Sequence, residues 1–152
     1  MGLVEWFRRN RAPEEDPRLS AWRKSWTAAA ASADETAARI SPDGRWVAYT
    51  SDESGRSEVY LDSYPRPRRR VSVSWNGGAH PVWRADGREL YYWNEGALVA
   101  VRLEAVAGKA APAIGGPVIL FRAHYYIGPN TMYDVSPDGE RFVIVQRRSA
   151  GS

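Results

Sequence analysis

The sequence contains no cysteine, which excludes disulfide bonds, thiolate nucleophiles and zinc sites with cysteine ligands. Histidine occurs only at His80 and His124, and neither lies in an HExxH-type arrangement. We interpret both as ordinary surface or turn histidines. Lysine occurs only at Lys24 and Lys109, so arginine supplies most of the positive charge in a chain with a net charge of +3. The chain therefore offers no cysteine and only two histidines for a catalytic or metal centre.

Motifs of the common enzyme classes are also missing. There is no Gly-x-Ser-x-Gly nucleophile elbow. The pairs Gly77-Gly78 and Gly115-Gly116 lack the Lys-Ser/Thr or the helix start that a phosphate-binding loop requires. No short loop has the spacing of oxygen ligands that calcium needs. We expect a protein that is not an enzyme, with no catalytic residue, no cofactor and no metal ion.

Long apolar runs are absent as well. No stretch approaches the roughly 20 apolar residues of a transmembrane helix, so we expect no transmembrane segment. The first residues do not resemble a signal peptide, because Glu5, Arg8 and Arg9 interrupt them and no apolar core follows. We expect a cytoplasmic protein, or a periplasmic one if the natural start lies upstream.

What the sequence does contain is a tight-turn motif that occurs three times. It reads Ser41-Pro42-Asp43-Gly44 near the start, Ser136-Pro137-Asp138-Gly139 near the end, and more loosely Asp86-Gly87 between them. Proline presets φ at the second position, aspartate bonds its own backbone, and glycine accepts a positive φ at the exit. This turn-forming role explains all three aspartates, so we do not interpret them as a ring of acidic ligands.

Aromatic and β-branched runs flank these turns and predict strands. The turn aspartates Asp43, Asp86 and Asp138 are 43 and 52 residues apart, and each unit holds four strand-like runs until the last one stops early. A repeat of this length with four strands is typical of a propeller blade. The predicted strands are 36–40, 46–51, 58–63, 70–75, 80–83, 89–93, 97–104, 118–121, 131–135 and 141–146.

Two segments carry a more specific prediction, and the second leaves two alternatives open. In 70–75, Val71, Val73 and Trp75 alternate with serines, which predicts a half-buried strand with these three residues inside. In 32–40, a capping-box pattern predicts a helix, whereas the register of the repeat favours a strand from 36. Residues 105–116, rich in alanine, glycine and proline, are predicted to form a loop.

Residues 1–34 differ from the rest of the chain. Asp16 and Pro17 form a favourable helix start, and apolar residues follow at helical spacing, so we predict a helix over 17–31. Its apolar stripe would cover an exposed part of the β domain, with a partner or a membrane surface as the alternative. We divide the chain into an N-terminal helical extension and linker (1–34), a β domain (35–146) and a polar tail (147–152).

Residues 39–49 (RISPDGRWVAY), together with 52–55 and 58–60, resemble the WD40-like β-propeller repeats of TolB-type proteins, and 135–139 resembles a last blade. Such repeats also form C-terminal propellers in some bacterial serine/threonine kinases and peptidases. The resemblance implies an all-β partial propeller of two four-stranded antiparallel blades plus half a blade, with the helical segment before it. Closed propellers use about four to eight blades, so we expect a fragment of a larger propeller.

The resemblance implies a non-catalytic protein-interaction or scaffold module with a protein partner. The alternative is an accessory propeller region of a bacterial peptidase or kinase whose catalytic domain is absent here. The arginine cluster at 66–70 is either a solvated loop or a contact with an acidic partner, and nucleic acid is the weaker alternative. Open blade edges predict self-association. The predicted partner contacts are Tyr64, Arg66, Arg68, Arg69, Arg70, Tyr125 and Tyr126.

Overall fold

The structure, a computed structural model, describes residues 35–125 and 131–145. These residues form eleven strands and no helix. The predicted helix at 17–31, the polar tail and Tyr126 lie outside the described residues. The strands are β1 (Glu35–Ile40), β2 (Trp46–Ser51), β3 (Glu58–Ser63), β4 (Val71–Ser72), β5 (Ala79–Trp83), β6 (Glu89–Asn94), β7 (Ala97–Glu104), β8 (Ala113–Ile114), β9 (Val118–Arg122), β10 (Tyr133–Val135) and β11 (Phe142–Ile144).

The first sheet is a four-stranded antiparallel meander in the order β1-β2-β3-β4. The choice at 32–40 is settled in favour of a strand, because β1 spans Glu35–Ile40 and pairs with β2. Both faces of the sheet are buried. Along β2, Val47 and Tyr49 lie in one apolar cluster while Ala48 lies in another on the opposite face. The unbroken apolar run therefore reflects burial on both faces of the strand.

The second sheet repeats this arrangement with one addition. Its strands follow the order β5-β6-β7, and the far edge of β7 is shared by β8 and β9. Strand β9 pairs with Ala97–Ala100, and β8 pairs with Leu103 and Glu104. The predicted loop 105–116 thus contains a two-residue strand, which forms because the end of β7 extends beyond β9 and leaves its backbone groups open for pairing.

The three sheets lie face to face in layers. Ala48, Val59 and Leu61 of the first sheet pack against Leu90, Val99 and other residues of the second. On its opposite face, the second sheet packs against the third, a two-stranded sheet of β10 and β11 that contributes Tyr133, Phe142 and Ile144. Apolar side chains between sheets hold the layers together, at roughly 25 cal/mol for each Å² of apolar surface removed from water.

The first strand of each complete sheet contains the same irregularity. Ala37 in β1 has φ 54° and His80 in β5 has φ 56°, both in the left-handed region that non-glycine residues rarely adopt. Each lies six residues before its turn aspartate, at a point where the pairing register shifts. These are β-bulges, in which one extra residue bends the strand. The first two sheets therefore share this backbone conformation in addition to their turns.

The three turns share one hydrogen-bond pattern. The amides of Gly44, Gly87 and Gly139 each donate to the carbonyl three residues earlier at 2.9 Å. In the first turn the carboxylate of Asp43 accepts from the Arg45 amide at 3.1 Å, and in the second Asp86 accepts from Arg88 at 2.9 Å. The side chain therefore closes the turn that the backbone begins, as the sequence motif predicts.

The turn glycines offer a test of layer packing. Gly44 and Gly139 have nearly equal φ values of 73° and 75°, but a Cβ at Gly44 would meet nothing within 4 Å. A Cβ at Gly139 would lie 2.8 Å from the Tyr91 hydroxyl and 3.1 Å from Nε of Arg84. We expect Gly139→Ala to cost about 1 kcal/mol more than Gly44→Ala, since only the former adds crowding to the shared backbone strain. Urea denaturation measures both values, and equal losses would contradict close packing at the third turn.

The predicted strand at 70–75 is wrong beyond its first residues. Only Val71–Ser72 forms β4, and Trp75 is 59% exposed, whereas Ser74 is 2% exposed. The Ser74 hydroxyl donates to the buried carboxylate of Glu58 and accepts the Val59 amide at 2.8 Å. Because Glu58 draws Ser74 inward, the alternation that placed Trp75 inside stops at Val73.

Candidate interaction surface

One end of the layered sheets carries the three turns together with the loop between β3 and β4. A cleft of about 750 Å³ lies there between the first and second turns, so these turns face the same end. The close approach of Gly139 to Arg84 brings the third turn to this end as well. We call it the turn end. Most of the predicted contact residues belong to the β3–β4 loop at this end.

A buried carboxylate organises that loop. Asp62, the fifth residue of β3, is 2% exposed, and its Oδ1 accepts the amides of Ser63 at 2.6 Å, Arg68 at 3.0 Å and Arg69 at 3.1 Å. The Ser63 hydroxyl donates to the Arg66 carbonyl at 2.6 Å. Hydrogen bonds to a charged acceptor are stronger than neutral ones, so this loop has a defined backbone path. The peptide bond between Tyr64 and Pro65 is cis.

The loop presents its arginines to solvent. Arg66, Arg68 and Arg69 are exposed, and none of them forms an ion pair with another described residue. Arg45 of the first turn is also exposed, and its carbonyl accepts the Tyr64 amide at 2.8 Å, which joins the turn to the loop. We call Arg45, Arg66, Arg68 and Arg69 the arginine surface.

Two of the predicted contacts at this loop are used within the fold. Arg70 lies 4.0 Å above the centre of the Tyr60 ring and pairs with Glu53. Its guanidinium therefore covers an aromatic ring of the first sheet. Tyr64 is 8% exposed and belongs to the apolar cluster of Val47 and Tyr49. Tyr64 is therefore buried, and the guanidinium of Arg70 is engaged within the fold.

Asp62 and Arg45 are parts of this surface that the sequence pattern does not predict. Asp62 looks like an ordinary polar residue at the end of a strand. The available signal is an Asp-Ser pair directly before a proline-rich loop, because both side chains bond readily to nearby backbone amides. Arg45 was considered only as a residue that follows a turn.

The predicted contact Tyr125 belongs to an aromatic cluster between the second and third sheets. Its ring stacks on Trp93, with centroids 4.6 Å apart and planes at 5°, and meets Tyr133 edge to face. Its hydroxyl accepts the Met132 amide at 2.7 Å and lies 2.7 Å from Nδ1 of His80. Tyr125 is half-buried and links the second sheet to the third, so its main contacts lie inside the protein.

The interpretation of His80 as a surface residue is wrong. It is 2% exposed, and its amide donates to the Thr50 hydroxyl of the first sheet at 3.1 Å. Its carbonyl accepts the Tyr133 hydroxyl of the third sheet at 2.6 Å. The bulge at His80 turns these backbone groups away from the β5–β6 pairing and towards both neighbours. His124, in contrast, is exposed.

Burial shapes the acid–base behaviour of this cluster. Desolvation raises the pKa of Tyr133 well above its usual value, and it raises the pKa of Tyr125 as well. Burial raises the pKa of Tyr91 too, assisted by its hydrogen bond to Glu89. All three phenols are therefore neutral at physiological pH, and those of Tyr91 and Tyr133 donate hydrogen bonds to Glu89 and to the His80 carbonyl. At the third turn the Ser136 hydroxyl holds the pKa of the exposed Asp138 below its usual value.

The cleft at the turn end has mixed chemistry. Trp46, Trp83 and Leu103 supply apolar walls. Arg84 is already close to acidic neighbours, with Nε 3.4 Å from Oδ2 of Asp86 and Nη1 3.8 Å from Oε2 of Glu89. Charges of both signs that neutralise one another do not select a ligand of either charge. We therefore assign no ligand to this cleft.

Across 35–125 and 131–145, no three His, Asp or Glu side chains converge closely enough to hold a metal ion. The same residues include no helix with the length and hydropathy needed to cross a membrane.

Strand β9 presents a second exposed feature, which is apolar. Val118, Ile119 and Leu120 are 59%, 53% and 41% exposed. Among the described strands β9 pairs only with β7, so its outer edge has open backbone donors and acceptors. Exposed apolar edge strands favour pairing with another chain.

We predict that this edge causes concentration-dependent self-association and that Ile119→Lys reduces it. A lysine on an edge strand places a charge where a second strand would pair, with little cost to the fold because Ile119 is 53% exposed. Sedimentation velocity over a range of concentrations measures the effect. Trp75→Lys, at another exposed apolar residue, is the control. Equal effects of the two variants, or none at all, would contradict a role for the β9 edge.

No protein-family model matches this chain, and a search of the curated proteins gives no match either.

Proposed function

We propose that this chain is a non-catalytic protein-interaction module of the β-propeller type, with blades resembling WD40-like TolB repeats, and that it forms part of a larger propeller. The observation that carries the proposal is the face-to-face stacking of three antiparallel sheets, a four-stranded meander, a five-stranded sheet and a two-stranded sheet, with apolar side chains filling both interlayer spaces. Propeller blades are four-stranded sheets packed side by side in this manner.

The recurrence of detail from one sheet to the next supports the same proposal. The turn, its hydrogen bonds and the bulge six residues before the turn aspartate recur in the first two sheets at a spacing of 43 residues. The turn recurs again before β11. Structural repeats of about 40 to 45 residues with four strands are typical of propellers. In such folds the loops at the ends of the blades are exposed and form the contacts with binding partners.

A binding role fits the distribution of polar groups. The buried polar side chains Glu58 and Asp62 are used in hydrogen bonds that fix loops. The titratable residues of the aromatic cluster are neutral phenols that link layers. These groups serve the architecture, whereas Arg45, Arg66, Arg68 and Arg69 expose positive charge at the turn end. The alternative, an accessory propeller region of a bacterial peptidase or serine/threonine kinase, differs only in requiring a catalytic domain on the same polypeptide.

The proposal is tested by partner capture at about 0.5 M salt, where exposed charge pairs are largely screened. The immobilised chain should retain a protein from a bacterial lysate that, once purified, binds the chain with a defined stoichiometry in isothermal titration calorimetry. Peptidase and esterase substrates are assayed with the same preparation. Hydrolysis that co-purifies with the chain through several chromatographic steps would refute the proposal, as would failure of every captured protein to bind after purification.

A further inference from the structure

The arginine surface has the properties of a preformed site for a polyanion. Its four guanidinium groups belong to residues exposed at the turn end. The loop that carries Arg66, Arg68 and Arg69 is held by the Asp62 carboxylate and the Ser63 hydroxyl. A backbone that is already ordered loses less conformational freedom on binding than a mobile one. The fold therefore presents clustered positive charge at little additional entropic cost.

The negative charges near this surface are already engaged. Asp62 is buried and accepts backbone amides. Asp43, at the rim, accepts from the Ser41 hydroxyl at 2.6 Å and from the Arg45 amide. Glu53 pairs with Arg70, on the side of the sheet that carries Tyr60. The guanidinium groups of Arg66, Arg68 and Arg69 thus retain their capacity for charge-assisted hydrogen bonds with an external acceptor.

We propose that the arginine surface binds an acidic segment of a partner protein, whose Asp or Glu carboxylates meet the guanidinium groups of Arg66, Arg68 and Arg69. The assignment rests on the proposed function and specifies the partner chemistry for one face of the module. Planar guanidinium groups match the geometry of carboxylates in two-point contacts. Clustered positive charge also accelerates the encounter with an acidic partner at low salt.

An acidic protein fits this surface better than a nucleic acid does. Single-stranded nucleic acids bind where exposed aromatic rings lie beside the basic groups. Within and beneath the arginine loop the aromatics are Tyr64, which is 8% exposed, and Tyr60, which is 6% exposed and lies under Arg70. Trp46 and Trp83 are half-buried walls of the neighbouring cleft. Duplex recognition through the major groove uses a helix or a two-stranded ribbon, whereas this surface consists of a turn and a loop.

The test uses the full chain and a short fluorescein-labelled peptide that alternates glutamate with glycine. Fluorescence anisotropy gives the dissociation constant for this peptide. The variant Arg66→Glu/Arg68→Glu/Arg69→Glu should bind it at least about tenfold more weakly, because three attractive contacts become repulsive. The corresponding triple Gln variant, which removes charge without adding repulsion, should show an intermediate loss. Thermal denaturation of both variants verifies that they fold.

The matched control reverses three exposed arginines outside the surface, Arg88, Arg122 and Arg141, and so changes the net charge equally. It should bind the peptide within about twofold of the original chain if the contact is local. Binding of the original chain should also weaken as salt increases, because the Debye length falls from about 10 Å at 0.1 M to about 3 Å at 1 M.

Three outcomes would overturn the inference: no peptide binding at low salt, equal losses in the surface and control variants, or tighter binding of a single-stranded DNA oligonucleotide than of the peptide. These results separate the inference from the proposed function. A partner captured at high salt that binds the original chain and the arginine variants equally removes the inference and leaves the interaction module intact. If the chain binds neither a captured partner nor the peptide, the inference and the proposed function are both refuted.

Discussion

Replacement of Trp93 by alanine is expected to lower the free energy of unfolding by about 3–5 kcal/mol, the largest effect of any single substitution proposed for this chain. Trp93 is 1% exposed and lies between the second and third sheets. Besides its stacking on Tyr125, it meets Phe121 and Tyr133 edge to face at 6.0 and 5.9 Å. The substitution would remove the centre of this cluster and leave a cavity that the surrounding strands cannot close.

The cavity should also loosen the third sheet. Strands β10 and β11 form only a two-stranded sheet, and Tyr133 and Phe142 attach it to the second sheet through this cluster. Two strands alone are marginally stable in water. We therefore expect Trp93→Ala to increase amide hydrogen exchange in β10 and β11 more than in β2 and β3.

Urea denaturation and hydrogen exchange measure the two effects. Trp75→Ala is the matched control, because Trp75 is 59% exposed and its loss should change the free energy of unfolding by no more than about 0.5 kcal/mol. Similar losses in the two variants would show that the Trp93 cluster does not hold the layers together. Trp93→Phe should fall between them, since it keeps an aromatic ring and removes an indole N–H that has no acceptor among the described residues.

The second large effect is expected at Asp62, where alanine should lower the free energy of unfolding by about 2–3 kcal/mol. The substitution removes one charged acceptor from the amides of Ser63, Arg68 and Arg69. Bonds to a charged group contribute more than neutral ones, and the Ser63 amide belongs to a strand end where water replaces the lost partner poorly. Asp62→Asn, which keeps one acceptor oxygen, should lose less.

Hydrogen exchange at individual amides distinguishes a local effect from a global one. The amides of Arg68 and Arg69 should exchange faster in Asp62→Ala even under conditions where the protein remains folded. Asp134→Ala is the control, because Asp134 is exposed and bonds only the adjacent Val135 amide at 2.8 Å. Unchanged exchange at Arg68 and Arg69 would mean that the loop keeps its path without Asp62, and the preformed character of the arginine surface would be lost with it.

The strands that the sequence predicts best are those with both strong local signals and complete pairing. The predicted bounds 46–51, 58–63 and 97–104 coincide with β2, β3 and β7. In each case an apolar run ends at a turn signal, and every residue of the strand lies in a segment paired on at least one side. Local propensity and tertiary pairing agree there, so the sequence alone is sufficient.

Where contacts between residues distant in the chain determine burial or strand pairing, the sequence could not predict the structure. Trp75 continues an alternating pattern, but the Glu58 carboxylate, 16 residues from Ser74, draws that serine inward and reverses the pattern. His80 precedes a proline and reads as a surface residue, yet a bulge places it between neighbouring sheets. The two residues of β8 have no strand signal of their own and depend on the extended end of β7.

The arginine surface could be predicted only in part, because some of its features depend on long-range contacts. A cluster of arginines is visible in any sequence, and 66–70 was recognised as such. Which of these side chains reach solvent depends on contacts across the sheet. Arg70 contacts Tyr60 and Glu53 within the fold, and Arg45 becomes part of the surface because its carbonyl bonds the Tyr64 amide of the loop. The support from Asp62 requires knowledge of the loop's path, because the bonded amides lie six and seven residues away.

The paired bulges at Ala37 and His80 have a consequence for how such a chain can grow. In the first two units, a left-handed residue and a turn glycine have the same separation along the chain, Ala37 with Gly44 and His80 with Gly87. A strand that shifted its pairing register by one residue would therefore disrupt the bulge and the turn together. The first two units, whose turn aspartates lie 43 residues apart, thus carry their own alignment marks. Duplication of one unit within the gene would yield a copy that aligns its own strands without adjustment of its neighbours, which is a simple physical route by which sheets of this kind multiply.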